Sequence, residues 1–422
     1  MINKCKTLST KLCVIFALIL PIGYAYALDP VKLNPSGYDA LALGEANSYK
    51  GCPNPVQVRE CRVGAWSGQF WTAKLAEVLP SNKPLPLPYM KNPPDVTYRW
   101  NFSSKTVDDY LEETKATGLI ILKDGEIVLE RYQYNRKPEM PMRSFSMAKT
   151  IVSMLIGIAN QKGMIHSLDD KASKYLPEIT QSVYGETTIR NLLRMASGVS
   201  YKELYTWGPG DDNWEWGRVL YANKNIGKPD EVAKYLNAKT EREYEQGSKF
   251  NYASINTEIL GRVLIRATGK PIAQLTQEWL WKPMGAENIA YWLMSSTDSV
   301  EAVAGGFNAT LRDYARLGDL MANDGKRNQQ TIIPYNYLME ATDQTLQPKV
   351  FKPRSATNYY GYGYQTWIFP MKKRTFAFLG IHGQLIFVQP ESKIVMVQTS
   401  VFDNPNGRLD PFPFKKINSL WL

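Results

Sequence analysis

The sequence has almost no histidine: His166 and His382 are the only two in 422 residues. That scarcity excludes much chemistry. A metal centre built on imidazole needs several ligands at short spacing, and none is present. A serine–histidine–aspartate triad would have to use one of the two histidines, yet His166 falls in an expected surface loop after Gly163 and no Gly-x-Ser-x-Gly elbow occurs. Cysteine is also scarce, with four residues, and Cys5 and Cys13 lie near the start of the chain. There is no low-complexity tract, no internal repeat and no nucleic-acid module. No metal, cofactor or nucleic-acid partner is expected.

The first 27 residues have their own grammar. Lys4, Lys6 and Lys11 form a basic start, Leu12 to Leu20 is an apolar run, and Ala25-Tyr26-Ala27 is a small-x-small ending. This is the pattern of a secretory signal peptide, with Leu28 as the new N-terminus and an uncleaved anchor as the alternative. Cleavage after Ala27 removes three lysines and no acids, so the formal charge falls from +10 to +7. The expectation is an exported chain, periplasmic or secreted, with no stable membrane span afterwards. The basic excess suits an anionic envelope, or solubility alone. In an oxidising compartment Cys52 and Cys61 would close a short disulfide loop, worth about 2–3 kcal/mol, with two reduced thiols as the alternative.

Residues 28–115 read as an N-terminal extension carrying Pro80, Pro84, Pro86, Pro88, Pro93 and Pro94, an extended polyproline-like stretch. Asp108 to Ala116 reads as a short helix. The main domain is expected over 116–422. It opens with a hairpin: two β-rich runs, 118–123 and 126–132, flank Asp124-Gly125. A second hairpin is expected where Leu385–Val388 and Ile394–Ser400 flank Pro390-Glu-Ser392. Between them, about 164–300 reads as a mainly helical insertion. Helices are expected after a cap at Ser167, over Thr188–Met195, over Asn256–Ala267 up to Gly269, and over Leu311–Met321. Strands at both ends with helices between imply an α+β fold, an antiparallel sheet flanked by helices.

One stretch organises the rest. From Met147 to Ala159 the only polar residues after Lys149 are Thr150 and Ser153. A helix apolar on every side is buried. It is too short and too interrupted to span a bilayer. At its head stand Ser146 and Lys149, three residues apart and so on one helical face. A hydroxyl and an amine held that close can act as nucleophile and base, provided burial lowers the amine from its usual pKa near 10.4.

Phe145-Ser-Met-Ala-Lys-Thr150 resembles the active-site motif of the serine β-lactamases and penicillin-binding proteins. Leu192-Leu-Arg-Met-Ala-Ser-Gly198, Gly247-Ser-Lys-Phe-Asn-Tyr252 with Asn256-Thr-Glu-Ile-Leu-Gly261, and Gly305-Gly306 through Gly318 are similar to further segments of that family. The likeness runs over about 118–400. It is nearest to the class C-like esterase and amidase branch, which includes the 6-aminohexanoate-dimer hydrolases. It implies a β-lactamase/transpeptidase-like fold, with Ser146, Lys149 and Tyr252 as catalytic residues. Two departures stand out. The class C pattern Tyr-x-Asn is here Tyr252-Ala-Ser254, with Asn256 two places on, so Ser254 stands where an asparagine would meet a β-lactam. The Lys-Thr-Gly strand is replaced by Gly380-Ile-His-Gly-Gln384. There the resemblance implies that the Ile381 N–H joins that of Ser146 in an oxyanion hole, with Gly380 and Gly383 letting backbone approach the ligand. His382 is either a structural residue or a substrate-side group. Tyr205 is a candidate substrate contact in a loop with Trp207, Trp214 and Trp216. The expected function is cleavage of an ester or amide carbonyl in a small molecule or peptide. The alternatives are β-lactamase or D-Ala-D-Ala carboxypeptidase activity, or a non-catalytic envelope-binding module.

Overall fold

Two stretches far apart in the chain pair to make one sheet. The computed structural model describes residues 32–33, 58–67, 74–100, 102–221 and 230–405. The leader over 1–27 and Cys52, and with it the expected bridge to Cys61, lie outside the described residues. The main sheet has strands β1 (Lys32–Leu33), β2 (Ala116–Lys123), β3 (Glu126–Tyr132), β4 (Gly361–Tyr362), β5 (Trp367–Ile368), β6 (Phe376–Gly380), β7 (Gln384–Gln389) and β8 (Ile394–Ser400). Their order is β1-β3-β2-β8-β7-β6-β5-β4. The two expected hairpins are present and meet in the middle: β8 runs antiparallel to β2, with Val397 opposite Ile120. Asp124 and Gly125 take φ of +52° and +81°, the backbone that a two-residue hairpin needs. The sheet departs from a purely antiparallel one at its edge, where β1 lies parallel to β3.

Both faces of the sheet are covered, because each central strand alternates between two apolar clusters. Leu119 and Ile121 join Tyr110, Leu111, Phe387 and Met396 on one side. Ile120 and Leu122 point the other way, into the main core with Ile386 and Val397. That core is filled by three helices: α1 (Met147–Gln161), α2 (Ser254–Thr268) and α3 (Leu311–Ala322). Every residue of α1 from Met147 to Ala159 is buried, as its all-round apolar sequence requires. It stops at Lys162, followed by Gly163 at φ +71°.

Other expectations needed correction. The helix read at 108–116 is Val107–Thr114, because Thr106 and Asp109 form a reciprocal capping box one residue upstream. No α-helix follows Ser167. Its Oγ takes the Asp169 N–H while its own N–H donates to Asp170, so the segment closes on itself and continues as two 3-10 turns. A second sheet was not anticipated. Leu75–Val78, Ala290–Leu293, Phe307–Ala309 and Met142–Arg143 pair in that order. The proline-rich stretch beyond Val78 is tied down by backbone bonds, Ser81 N–H to Ala286, Leu85 N–H to Gly285 and Met90 N–H to Ile127. No helix among the described residues is long and apolar enough to cross a membrane.

Gly157 decides how closely α1 is covered. The Tyr337 ring lies where a side chain would be: an added Cβ would come 2.4 Å from its Cδ1. The Tyr337 hydroxyl is 2.8 Å from Ser153 Oγ, which fixes the ring there. Gly157→Ala should therefore destabilise the protein by about 1–3 kcal/mol, the usual cost of overpacking. Thermal unfolding measures this, and an unchanged midpoint would mean that the ring gives way freely.

Candidate active site

The site is built where α1 begins. Met142–Arg143 ends the small sheet, and Phe145 then takes a left-handed φ of +44°. A bulky residue in that conformation is strained and needs support. Trp66 supplies it, edge-on at 5.0 Å between ring centroids. The turn leaves Ser146 directly ahead of the first helical residue.

Lys149 follows one helical turn later and is almost fully buried. Its Nζ lies 2.9 Å from Ser146 Oγ and 2.7 Å from the Ala304 carbonyl oxygen. Loss of water lowers its pKa to about 8, although the negative fields of Glu203 and Glu258 work against the shift. Tyr252 completes the group. Lys149 Nζ lies 5.2 Å from the centre of its ring, and the ring stacks on Trp367 at 5.5 Å and 23°. Burial, reinforced by Glu203, drives the phenol well above its usual value, so it remains a neutral O–H.

The end of β6 forms the wall beside the serine. A Cβ on Gly380 would sit 2.4 Å from the Ser144 carbonyl oxygen, so only glycine lets the strand pass so close. Ile381 follows at once, and Ile381 and Ser146 both line each of the two pockets that meet here. His382 and Gly383 turn away. His382 packs against Trp66 at 4.6 Å, its Nδ1 is 2.6 Å from the Phe402 carbonyl, and burial lowers its pKa to about 4. It is a neutral histidine under the strand end. Gly383 accepts a bond from the Gln398 amide.

Of the remaining candidates, Ser254 and Tyr205 reach the cleft and Asn256 does not. Asn256 is buried in α2, with Nδ2 directed at the Met195 sulfur, 3.7 Å away. Ser254 donates its N–H and its hydroxyl to Glu203, at 2.7 and 2.8 Å. Tyr205, with φ +56°, donates its hydroxyl to the same carboxylate at 2.5 Å.

Sequence reasoning missed two acids. Glu203 lies in an irregular loop with no motif to flag it. Glu258 had a signal: it sits one turn after Ser254, and so on the same face of α2. It is buried, and its Oε1 accepts the Ala304 N–H at 2.9 Å. Desolvation pushes its pKa up to about 7. One residue therefore links two buried ionisable groups: the Ala304 carbonyl takes Lys149 and the Ala304 N–H gives to Glu258.

Comparison with known proteins gives the family and the fold. The family model described as Beta-lactamase matches residues 104–410. The 6-aminohexanoate-dimer hydrolase of Paenarthrobacter ureafaciens is 24% identical over 306 residues, which is 72% of this chain and 76% of that protein. The N-acetylmuramyl-L-alanine amidase of Bacillus subtilis is 27% identical over 219 residues, 45% of this chain and 47% of that one. Among solved structures, a protein assigned as a 6-aminohexanoate-dimer hydrolase of Bacillus anthracis superposes with a TM-score of 0.76 at 22% identity, over 87% of this chain and 94% of its own. A family VIII carboxylesterase gives 0.55 at 17% identity, over 74% and 94%. At these identities the structural likeness speaks for the fold alone. The family match spans well over half of the sequence, and the chain belongs to the beta-lactamase family, as a serine hydrolase with the β-lactamase/transpeptidase-like fold.

Proposed function

We propose that this is an exported hydrolase that cleaves an ester or amide through an acyl-enzyme on Ser146. The observation that carries the reading is the 2.9 Å contact between Ser146 Oγ and a lysine nitrogen held away from water. Export rests on the basic start, apolar run and Ala-x-Ala ending of the first 27 residues.

In acylation, neutral Lys149 together with Tyr252 accepts the Ser146 proton as Oγ attacks the carbonyl carbon. The N–H groups of Ser146 and Ile381 hold the developing oxyanion; losing one such donor typically costs ~10²–10³ in rate. The Tyr252 phenol passes the proton to the leaving alcohol or amine. Water then attacks the acyl-enzyme, gives a proton to the same pair and frees Ser146. The place of Ser254 argues against β-lactam substrates: its donors are committed to Glu203, so it offers no amide to such a ring.

A fluorophosphonate probe should label the protein at Ser146, and Ser146→Ala should abolish both labelling and hydrolysis of p-nitrophenyl butyrate. Equal labelling of both proteins rejects the nucleophile. On the same substrate, Tyr252→Phe should lower kcat about 10²–10⁴-fold. Nitrocefin should be turned over far more slowly than the ester; the reverse order would identify a β-lactamase.

The reaction should also depend on pH with a definite sign. Below about pH 8 the Lys149 amine gains a proton and can no longer act as base, so kcat/KM should fall towards acid. An ionised Glu258 favours that extra proton. Glu258→Gln keeps an oxygen acceptor for the Ala304 N–H but removes the charge, so the acidic limb should move to lower pH. A limb at the same pH in both proteins would show that the carboxylate does not act on the lysine.

A further inference from the structure

The cleft has two arms that meet at Ser146, and they differ in chemistry. One, about 620 Å³, is lined by Lys202, Asn251, Tyr252, Thr357 and Tyr360 among others. The other, about 500 Å³, is lined chiefly by Trp207, Trp214, Trp216, Leu220, Leu293 and Ala302. Both sizes suit small-molecule sites. The charged groups in the second arm are already engaged by the protein. Arg143 lies over the Phe145 ring at 4.6 Å, Lys149 is held by Ser146 and the Ala304 carbonyl, Arg218 lies over the Trp214 ring at 5.0 Å and bonds Glu215, Glu203 is held by Ser254 and Tyr205, and Glu258 takes the Ala304 N–H. An incoming group therefore meets mostly apolar surface.

The two reactive partners of Ser146 divide between the arms. Tyr252 lines only the first, and Lys149 lines only the second. This division orients the substrate. In acylation the Oγ–carbon bond forms, the bond from that carbon to the leaving atom breaks, and the leaving atom takes the proton that Oγ gave up. The phenol that delivers that proton has to lie beside the leaving atom, so the leaving group departs into the arm that Tyr252 lines. The acyl portion is left to occupy the other.

We infer that the tryptophan-lined arm is the acyl subsite, and that it selects uncharged apolar acyl groups larger than acetyl, such as aliphatic chains of several carbons or an arylacetyl group. The inference rests on the Ser146–Lys149–Tyr252 reading and adds to it the side of the cleft and the class of substrate. Its logic is burial: each methylene moved from water into an apolar arm is worth about 0.8 kcal/mol, roughly fourfold in binding at room temperature.

The test holds the leaving group constant. With p-nitrophenyl acetate, butyrate and hexanoate, kcat/KM should rise by about fourfold per added methylene until the arm is full, and the phenylacetate should exceed the acetate. The arm can be filled without disturbing the fold. Gly217 lies on the helix Asp212–Tyr221 and lines the arm, and a Cβ there would meet nothing within 4 Å. Phenylalanine is also a better helix residue than glycine. Gly217→Phe should cut the hexanoate-to-acetate ratio of kcat/KM about tenfold, the worth of one to two methylenes of lost room. Trp214→Ala should lower the same ratio by removing apolar wall. A flat chain-length profile, or the same slope in Gly217→Phe as in the native protein, overturns the acyl assignment. If fluorophosphonate still labels Ser146 in that case, the nucleophile stands and only the subsite falls. If neither turnover nor labelling is seen, both fall together.

Discussion

The structure depends on keeping one amine dry. An ammonium group deep in a protein loses its hydration, and nothing in α1 replaces it, since the helix is apolar on every side. What the Lys149 nitrogen finds instead is a hydroxyl at 2.9 Å and a carbonyl at 2.7 Å. Two neutral partners solvate a neutral amine well and an ammonium poorly. In the proposed mechanism the same burial that gives the hydrolase its core supplies its base, with Ser146 at the mouth of the helix, on the cleft.

The acids around the lysine oppose that effect, and their placement limits how far they do so. Glu203 accepts three hydrogen bonds, from Ser254 N–H, Ser254 Oγ and Tyr205, which spread its charge towards the cleft wall. Glu258 is buried enough to titrate near neutrality, so its opposition weakens as it takes up a proton. Arg262 and Asp298 also face it, with Arg262 favouring the carboxylate and Asp298 disfavouring it. The amine therefore sits in a field whose strength itself changes with pH. This is the arrangement of coupled groups by which proteins bring an acid or base close to the working range.

Much of this was legible in the chain, and for physical reasons. Asp124-Gly125 marks a hairpin because its backbone geometry needs residues that tolerate positive φ. An unbroken apolar helix can only be central. Ser146 and Lys149 must share a face because three residues make most of a turn. Tyr252 was found through the resemblance, not through its own surroundings. Glu203 was invisible because it acts from a loop, where no periodicity constrains which side chain faces the cleft. The small second sheet was missed because its strands, as short as Met142–Arg143, lack the length over which alternation can be seen. Ser167 misled because the residues that cap a helix also close a local turn, and only the chain beyond it decides which. Ser254 and Asn256 were alternatives in sequence; the 100° step of a helix separates them, sending one to the cleft and the other into the core.

His382 shows why a scarce residue is not always a reactive one. It replaces part of a familiar strand motif and lies two residues from the glycine that touches Ser144, so a chemical role looked open. Yet its ring is wedged against Trp66 and near Phe145, its Nδ1 is fixed on Phe402, and burial keeps it neutral across the range in which the lysine titrates. A neutral ring adds no field to the site. Its contribution is geometric. Trp66 supports both the strained Phe145 on one side and His382 on the other. The same indole thus braces the turn that presents Ser146 and the turn that presents Ile381. Both proposed oxyanion donors thus lie beside one aromatic cluster, formed by Trp66, Phe145 and His382.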